Sequence, residues 1–101
     1  YNIFNKKDVG LLLDLGHTAV TSYWLNFDKN KFVKFCADKA LAVHISNNNG
    51  KKDQHRSITK KCWQVSKLKL LKNHPITLET SNLDINKIKH NMKIAENAIK
   101  E

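Results

Sequence analysis

The residues Gly10-Leu11-Leu12-Leu13-Asp14 begin the part of the sequence that decides the fold. The run is apolar without alternation and ends in a carboxylate, which is typical of a strand buried on both faces of a parallel sheet. Two further strand-length stretches follow, Leu41-Ala42-Val43-His44-Ile45 and Ile76-Thr77-Leu78-Glu79. We therefore predict strands over residues 10–14, 41–45 and 76–79.

Three other stretches have helical periodicity. We predict helices over residues 28–39, 58–72 and 84–100, because apolar side chains recur there at intervals of three and four. The expected inward side chains are Phe32, Phe35, Cys36 and Lys39 in the first helix, Ile58, Cys62, Val65 and Leu68 in the second, and Ile85, Ile88, Met92, Ala95 and Ile99 in the third. Asp84 is the expected N-cap of the last helix. Residues 46–55 are polar and rich in Asn, which predicts a loop.

The alternation of strands and helices predicts an α/β fold with a parallel sheet. Three such strands with helices on one side leave two open edges and one bare sheet face. We therefore expect residues 1–101 to be a single segment, three βα units of a closed barrel whose N-terminal part lies in the same polypeptide. The chain begins at Tyr1 rather than Met, which agrees with that expectation.

Composition narrows the class of protein. The 101 residues are 41% hydrophobic and 27% charged, as in a globular domain. We find no apolar run of about 18 residues and no signal peptide in residues 1–20, so we predict a cytoplasmic protein without membrane contact. Cys36 and Cys62 lack metal-binding spacing, and we expect both to be reduced thiols of the core.

The chain carries a net charge of +9. This excess indicates either a phosphate-bearing partner or lysine-rich solvated surfaces, and Arg56 is the single arginine. Lys51 and Lys52 lie within the predicted loop, where they would bind a substrate phosphate or simply face solvent. Both interpretations stay open at this stage.

Metal-ligating side chains lie at or just after the carboxyl ends of the predicted strands. In a parallel sheet these ends lie side by side. Imidazole nitrogen and carboxylate oxygen suit Zn²⁺, Mn²⁺ and Fe²⁺, so we predict a divalent-metal site, with Mn or Zn favoured. Its six predicted ligands are Asp14, His17, His44, Asp53, His55 and Glu79. Taken singly, Asp14 is also a candidate helix cap, His44 a core histidine and Glu79 an exposed acid. We expect His74 and His90 to be structural.

The same residues resemble a known family. The segments 11–17, 43–50 with Asp53-Gln54-His55, and 75–80 resemble the C-terminal part of the xylose isomerase-like TIM-barrel superfamily. That superfamily includes sugar-phosphate isomerases and epimerases, and apurinic endonucleases of the endonuclease IV type. The resemblance implies strands six to eight of a (β/α)8 barrel, a fold that needs about 250 residues.

In the epimerase-like members, the positions of Asp14, His44 and Glu79 join a Glu from an earlier strand around one metal, often manganese. The Glu79 position also acts as one of two general bases, and the His17 position contacts the substrate. The resemblance thus implies a sugar or sugar-phosphate isomerase or epimerase, with Glu79 and His17 as catalytic residues. Because the earlier Glu is missing here, we predict that the 101-residue chain alone is inactive.

In the endonuclease-like members, the same three positions hold one zinc, and those of His17, Asp53 and His55 hold a second. This alternative implies hydrolysis of DNA phosphodiesters at abasic sites. Two departures from the family weaken any assignment to a well-known substrate: Asn47 stands where many members have Asp, and residues 56–60 replace a Gly-rich turn. A third alternative is an inactive fragment or a binding module.

Overall fold

A computed structural model describes residues 10–81 and 84–100, and these residues form a mixed α/β structure. The elements in chain order are β1 (Leu11–Asp14), α1 (Leu15–Leu25), α2 (Lys29–Cys36), β2 (Ala40–Ile45), α3 (Trp63–Ser66), β3 (Ile76–Leu78) and α4 (Ile85–Lys100). None of the helices in the described ranges is long and apolar enough to cross a membrane.

The three strands form one parallel sheet in the order β1-β2-β3, which confirms the predicted parallel α/β arrangement. Asp14 of β1 lies opposite His44 of β2. The backbone N–H of Glu79 donates to the carbonyl of Ile45 at 2.8 Å, one residue beyond the end of β3. This register places the carboxyl ends of the three strands side by side.

The helices cover one face of the sheet, and the core lies between them. Leu13, Val43 and Ile45 point into this core and are at most 2% exposed. The other buried apolar members are Leu15, Val33, Cys36, Ala40, Ile58, Val65, Leu68 and Leu71. The opposite face is open, because Leu12, Ala42 and Thr77 are exposed or half-buried there. Parallel sheets are normally covered on both faces.

Helix α1 has no counterpart among the predicted helices. Residues 15–25 contain no lysine, arginine, aspartate or glutamate and lack a one-sided apolar pattern, so periodicity does not reveal this helix. Its ends are marked locally instead. The Asp14 side chain caps its first turn, and Asn26 ends it in a left-handed conformation with φ of 57°.

The helix predicted over residues 28–39 is shorter in the structure, where α2 ends at Cys36 and a turn leads into β2. Val33 and Cys36 are the buried side chains, whereas Phe32 and Phe35 are 40% and 53% exposed. The prediction of an inward Phe32 and Phe35 was therefore wrong. Lys39 was also predicted to point inward. It lies in the turn over residues 37–39, between α2 and β2, and is half-buried.

The helix predicted over residues 58–72 was wrong over most of its length, since α3 covers four residues and turns follow it. Ile58, Val65 and Leu68 are nevertheless buried as predicted, and Cys62 is half-buried. Consecutive turns bring every third or fourth side chain to the same side, as a helix does, so the same residues are buried.

Helix α4 begins one residue after the predicted start, and Asp84 caps it by accepting from the Lys87 N–H at 2.9 Å. Its predicted apolar stripe is only partly inward, because Ile85 and Met92 are 68% and 50% exposed. Asn91, which is 2% exposed, takes the buried position. Its Oδ1 accepts from the backbone N–H of Ile58 at 2.6 Å, which satisfies this buried polar group.

Gly16 lies in the first turn of α1, against the chain that leaves β2. A Cβ atom at this position would lie 2.5 Å from Ser46 Oγ, and Ser46 is 2% exposed. We expect Gly16→Ala to lower the free energy of unfolding by about 1–3 kcal/mol, as overpacking does, despite the better helix propensity of alanine. Urea unfolding followed by circular dichroism measures this change. The Gly16→Ala/Ser46→Ala double variant should recover part of the loss, and a single variant as stable as the parent would contradict the contact.

Candidate metal centre

The first triad, defined as Asp14, His44 and Glu79, lies at the carboxyl ends of the three adjacent strands. Asp14 ends β1, His44 lies beside it in β2, and Glu79 follows directly after β3. His44 Nδ1 lies 2.6 Å from Glu79 Oε2. One ligand-type atom from each residue lies within 4.8 Å of the others. The register of the sheet thus brings together three side chains that are distant in sequence.

The second triad, defined as His17, Asp53 and His55, joins α1 to the loop that follows β2. Asp53 Oδ2 lies 2.8 Å from His17 Nε2 and 3.2 Å from His55 Nε2. The two imidazole rings meet edge to face, with centroids 6.2 Å apart. One carboxylate oxygen therefore lies between two imidazole nitrogens, and the three ligand atoms again lie within 4.8 Å of one another.

Asp14 connects the two triads. Its Oδ1 accepts a hydrogen bond from the backbone N–H of His17 at 2.9 Å, which caps α1. Its Oδ2 lies 3.3 Å from Nδ1 of the same histidine. Because the cap uses only one carboxylate oxygen, the structure is compatible with Asp14 being both a helix cap and a metal ligand.

The loop that carries Asp53 and His55 is fastened at its base. Asn47 and Arg56 form an antiparallel bridge with backbone hydrogen bonds of 3.0 and 2.8 Å. The side-chain amide of Asn48 donates to the carbonyl of Gly16 at 2.9 Å, which ties the loop to the first turn of α1. The asparagine-rich run therefore does more than turn the chain, since it fixes the second triad against the helix that carries His17.

His55 has a left-handed backbone with φ of 49°, which is uncommon for a residue other than glycine. Its Nδ1 lies 2.9 Å from the backbone carbonyl of Glu79, which directs Nε2 towards Asp53. The His55 carbonyl accepts from the Ser81 N–H at 3.0 Å. Such strained residues cluster at functional sites. Sequence reasoning missed this second link between the triads because the partner is a main-chain carbonyl.

The second triad favours protonated histidines when no metal is bound. The hydrogen bond to Asp53 raises the pKa of His17, against the opposing effect of partial burial. The hydrogen bond to the Glu79 carbonyl raises the pKa of His55. Partial burial works against ionisation of Asp53, but the hydrogen bond and charge of His17 prevail and lower its pKa. A metal ion that binds here would displace these protons.

The donor atoms of both triads fit a divalent cation, since each triad offers imidazole nitrogen and carboxylate oxygen. Cys36 and Cys62 are free thiols, and neither belongs to a cluster found in the described part of the chain. The His74 ring is hydrogen-bonded to the carbonyl of Ala37, and His90 lies on α4. The structure thus gathers the six predicted ligands in two groups of three and leaves the other two histidines outside.

The two lysines predicted to bind substrate differ in their surroundings. The Lys51 ammonium lies 5.3 Å from the centre of the Tyr23 ring, and the Lys51 carbonyl accepts from Trp24 Nε1 at 2.8 Å. Lys52 is exposed, and its backbone N–H is bonded within the loop to the Asn49 side chain. Trp24 itself is 67% exposed, so it is not buried between helix and sheet.

The metal-free chain is expected to lose stability as the pH rises through the range where His17 and His55 lose their protons. Folding raises both pKa values above 6.5, so their contribution is complete below pH 6.5 and disappears as the pH passes the folded-state values. Asp53 behaves in the opposite sense, because its pKa is below 3.8 in the folded state. Its contribution is lost only as the pH falls through that lower value. Urea unfolding midpoints between about pH 5.5 and 8.5, measured with a chelator present, test the histidine effect.

Asp53→Asn is the matched variant for this measurement. It removes the carboxylate that lies 2.8 Å from His17 and 3.2 Å from His55 and keeps the size of the side chain. We expect its stability to vary less steeply across the same pH range. An equally steep dependence in parent and variant would show that the second triad is not the source.

Comparison of the chain with protein-family models, curated proteins and solved structures finds no match. The resemblance to the xylose isomerase-like superfamily therefore rests on the residues of this chain. These residues form two triads, one at the carboxyl ends of the three strands and one between α1 and the loop after β2.

Proposed function

We propose that this chain is the C-terminal part of a metal-dependent TIM-barrel enzyme, similar to sugar or sugar-phosphate isomerases and epimerases, that moves a carbon-bound proton. The observation that carries the proposal is the first triad. Asp14, His44 and Glu79 come from the ends of three consecutive parallel strands, and their ligand atoms lie within 4.8 Å of one another. Barrel enzymes place their active sites at this end of the strands.

The unpaired edge strands and the uncovered face of the described sheet support a barrel. β1 and β3 are its two edges, and its face opposite the helices carries exposed or half-buried side chains. Leu12 on that face is 51% exposed. Further strands would pair with both edges and would enclose this face as the barrel interior. The open face also holds Asp14 and His44, so closure would place the first triad at the barrel mouth.

Glu79 is the residue that we assign to proton transfer. Its carboxylate accepts a hydrogen bond from His44 Nδ1 at 2.6 Å, and its side chain is 44% exposed and accessible to a substrate. When bound, a divalent cation supplies polarisation of the neighbouring carbonyl and hydroxyl oxygens, which acidifies the carbon-bound proton. Glu79 would take that proton and return it to the neighbouring carbon, and His17, 56% exposed, would orient the substrate.

A second candidate function is hydrolysis of DNA phosphodiesters, as in the endonuclease-like members of the same superfamily. The observation that favours it is the complete second triad, in which Asp53 lies 2.8 Å from His17 and 3.2 Å from His55. The net charge of +9 also suits a nucleic-acid partner. An isomerase would use the first triad and His17, whereas this reaction would use all six residues of the two triads.

Two assays on the product of the whole reading frame separate the candidates. Incubation with aldose and ketose phosphates in deuterated water and Mn²⁺ should show metal-dependent exchange of a carbon-bound proton by nuclear magnetic resonance. Incubation with a duplex that contains an abasic site tests for incision. Exchange without incision supports the isomerase or epimerase, and incision without exchange overturns it in favour of the nuclease. The absence of both activities would support the third alternative, a chain without catalysis.

A further inference from the structure

A cleft lies between α1, the start of α2 and the loop after β2, and the residues of the two triads do not line it. It has a volume of about 580 Å³, and a smaller cleft of about 200 Å³ adjoins it. Ala19, Lys29, Asn49 and Gly50 line both clefts. Lys51 and Tyr23 complete one wall of the larger cleft. The two clefts thus form one continuous depression with lysine side chains in its walls.

Aromatic rings hold the lysines around this cleft. The Lys29 ammonium lies 4.6 Å from the centre of the Trp63 ring, and the Lys67 ammonium lies 5.8 Å from the same ring. Lys51 lies over Tyr23 at 5.3 Å. A lysine side chain loses up to about 2 kcal/mol of rotamer entropy when a ligand fixes it. The cation–π contacts already restrict these side chains, so they lose less rotamer entropy when a ligand binds.

The rings themselves are fixed by hydrogen bonds. Trp63 Nε1 donates to Asn30 Oδ1 at 2.8 Å, which joins α3 to α2. Trp24 Nε1 donates to the Lys51 carbonyl at 2.8 Å, which joins α1 to the loop. Tyr23 and Trp24 meet edge to face with centroids 5.1 Å apart. Two hydrogen bonds therefore brace the walls of the cleft, one between α3 and α2 and one between α1 and the loop.

The charge of the cleft favours an anion. Lys29 and Lys51 each contribute a positive charge, and Asp28 contributes the one negative charge among its lining residues. The Asp28 carboxylate is already engaged, since its Oδ1 accepts from the backbone N–H groups of Asn30 and Lys31 at 2.9 and 3.1 Å. The residues that line the cleft therefore carry a net positive charge.

We propose that this cleft binds a phosphate group, held by the ammonium groups of Lys29 and Lys51. Compact anions with several acceptor oxygens match a cleft lined by two lysines and by the amide side chains of Asn30 and Asn49. Lys51 lies two residues before Asp53, so a phosphate bound here contacts the loop that carries the second triad. The phosphate could belong to a small sugar phosphate or to a nucleic-acid strand. The site goes beyond the proposed reaction and does not depend on a metal.

The test is a binding titration of the full chain at low ionic strength with a chelator present, followed by the fluorescence of Trp24 and Trp63. The probes are inorganic phosphate, ribose 5-phosphate, ribose and a ten-nucleotide single strand of DNA. We expect saturable binding of at least one phosphate-bearing probe and none of ribose. The Lys29→Gln/Lys51→Gln variant should bind that probe at least about tenfold more weakly, equivalent to the loss of one charge-assisted hydrogen bond.

Lys89→Gln/Lys93→Gln is the matched control, because it removes the same charge from exposed positions of α4. It should leave the affinity within about twofold of the parent, since neither lysine lines the larger or the smaller cleft. Tighter binding of ribose 5-phosphate supports the site with a small-molecule ligand, and tighter binding of the oligonucleotide supports it with a nucleic-acid ligand. Equal weakening by both double variants, equal binding of ribose, or no binding of any probe would overturn the site. Because no metal is present, these outcomes are independent of the proposed catalysis.

Discussion

Glu79→Gln should lower the rate of carbon-bound proton exchange by about a thousandfold in the product of the whole reading frame, within the range attributed to one general base. The variant keeps the shape of the side chain and removes the group that takes the proton. It also weakens the hydrogen bond from His44 Nδ1, which measures 2.6 Å in the parent. Deuterium incorporation into the substrate, followed by nuclear magnetic resonance at saturating Mn²⁺, gives the rate.

Glu96→Gln is the matched control, because Glu96 is an exposed acid on α4, outside both triads. It should exchange at the parental rate. Circular dichroism of both variants shows whether the fold is retained. A folded Glu79→Gln variant that keeps more than about a tenth of the parental rate at saturating metal would remove Glu79 from the role of general base.

Leu68→Ala should lower the free energy of unfolding by about 2–5 kcal/mol, because it opens a cavity in the core. Leu68 is 0% exposed, although it lies in a series of turns rather than in a helix. Leu70, two residues later, is 53% exposed. Leu70→Ala should therefore change the free energy of unfolding by no more than about 0.5 kcal/mol.

This pair of variants makes the same chemical change at two nearby positions, so only burial differs. Urea unfolding of the full chain, followed by circular dichroism and by tryptophan fluorescence, measures both. Equal losses for Leu68→Ala and Leu70→Ala would contradict the arrangement of residues 67–73, because that arrangement buries Leu68 and leaves Leu70 exposed. Coincident transitions by the two probes are needed to treat each loss as a free energy.

The sheet could be predicted from the sequence because Leu11–Leu13 and Leu41–Val43 are continuous apolar runs, and Ile76-Thr77-Leu78 is a short strand-like stretch after Pro75. Leu11–Asp14, Ala40–Ile45 and Ile76–Leu78 each differ from the predicted strand by one residue at one end. The parallel order also followed directly from the helical segments between the strands.

The helices were harder to predict because periodicity shows only where an amphipathic face exists. Helix α1 lacks that contrast, and its start depends on the Asp14 cap. Residues 58–72 have the contrast, but turns provide it rather than a helix. In α4 the deepest position belongs to Asn91, whose hydrogen bonds make a polar side chain acceptable in the core. No count of apolar residues could indicate that position.

All six side chains of the candidate centre could be predicted, because each is of a metal-ligating type and lies at the end of a predicted strand or in the residues that follow it. Their division into two triads was implied only by the family resemblance, and the structure arranges them in the same two groups. The links between the triads were not predictable. One is the bond from the His55 ring to the Glu79 carbonyl, and another is the contact from Asp14 Oδ2 to His17 Nδ1. Both depend on main-chain positions that only the folded chain defines.

The most direct test of the central claim, that the first triad is a divalent-metal site, is a calorimetric titration of the full chain with Mn²⁺ or Zn²⁺. Glu79→Gln and Asp53→Asn each remove one carboxylate, from the first and the second triad respectively. The account predicts that the parent chain binds one ion and that Glu79→Gln weakens this binding by at least about a hundredfold. Loss of a residue that only orients a metal ligand already lowers the affinity by up to about a hundredfold, and Glu79 is a predicted ligand itself. If the parent chain binds a second ion and the Asp53→Asn variant does not, the second triad is also a metal site. Metal binding that is unchanged in Glu79→Gln, or absent from the parent chain, would contradict the account.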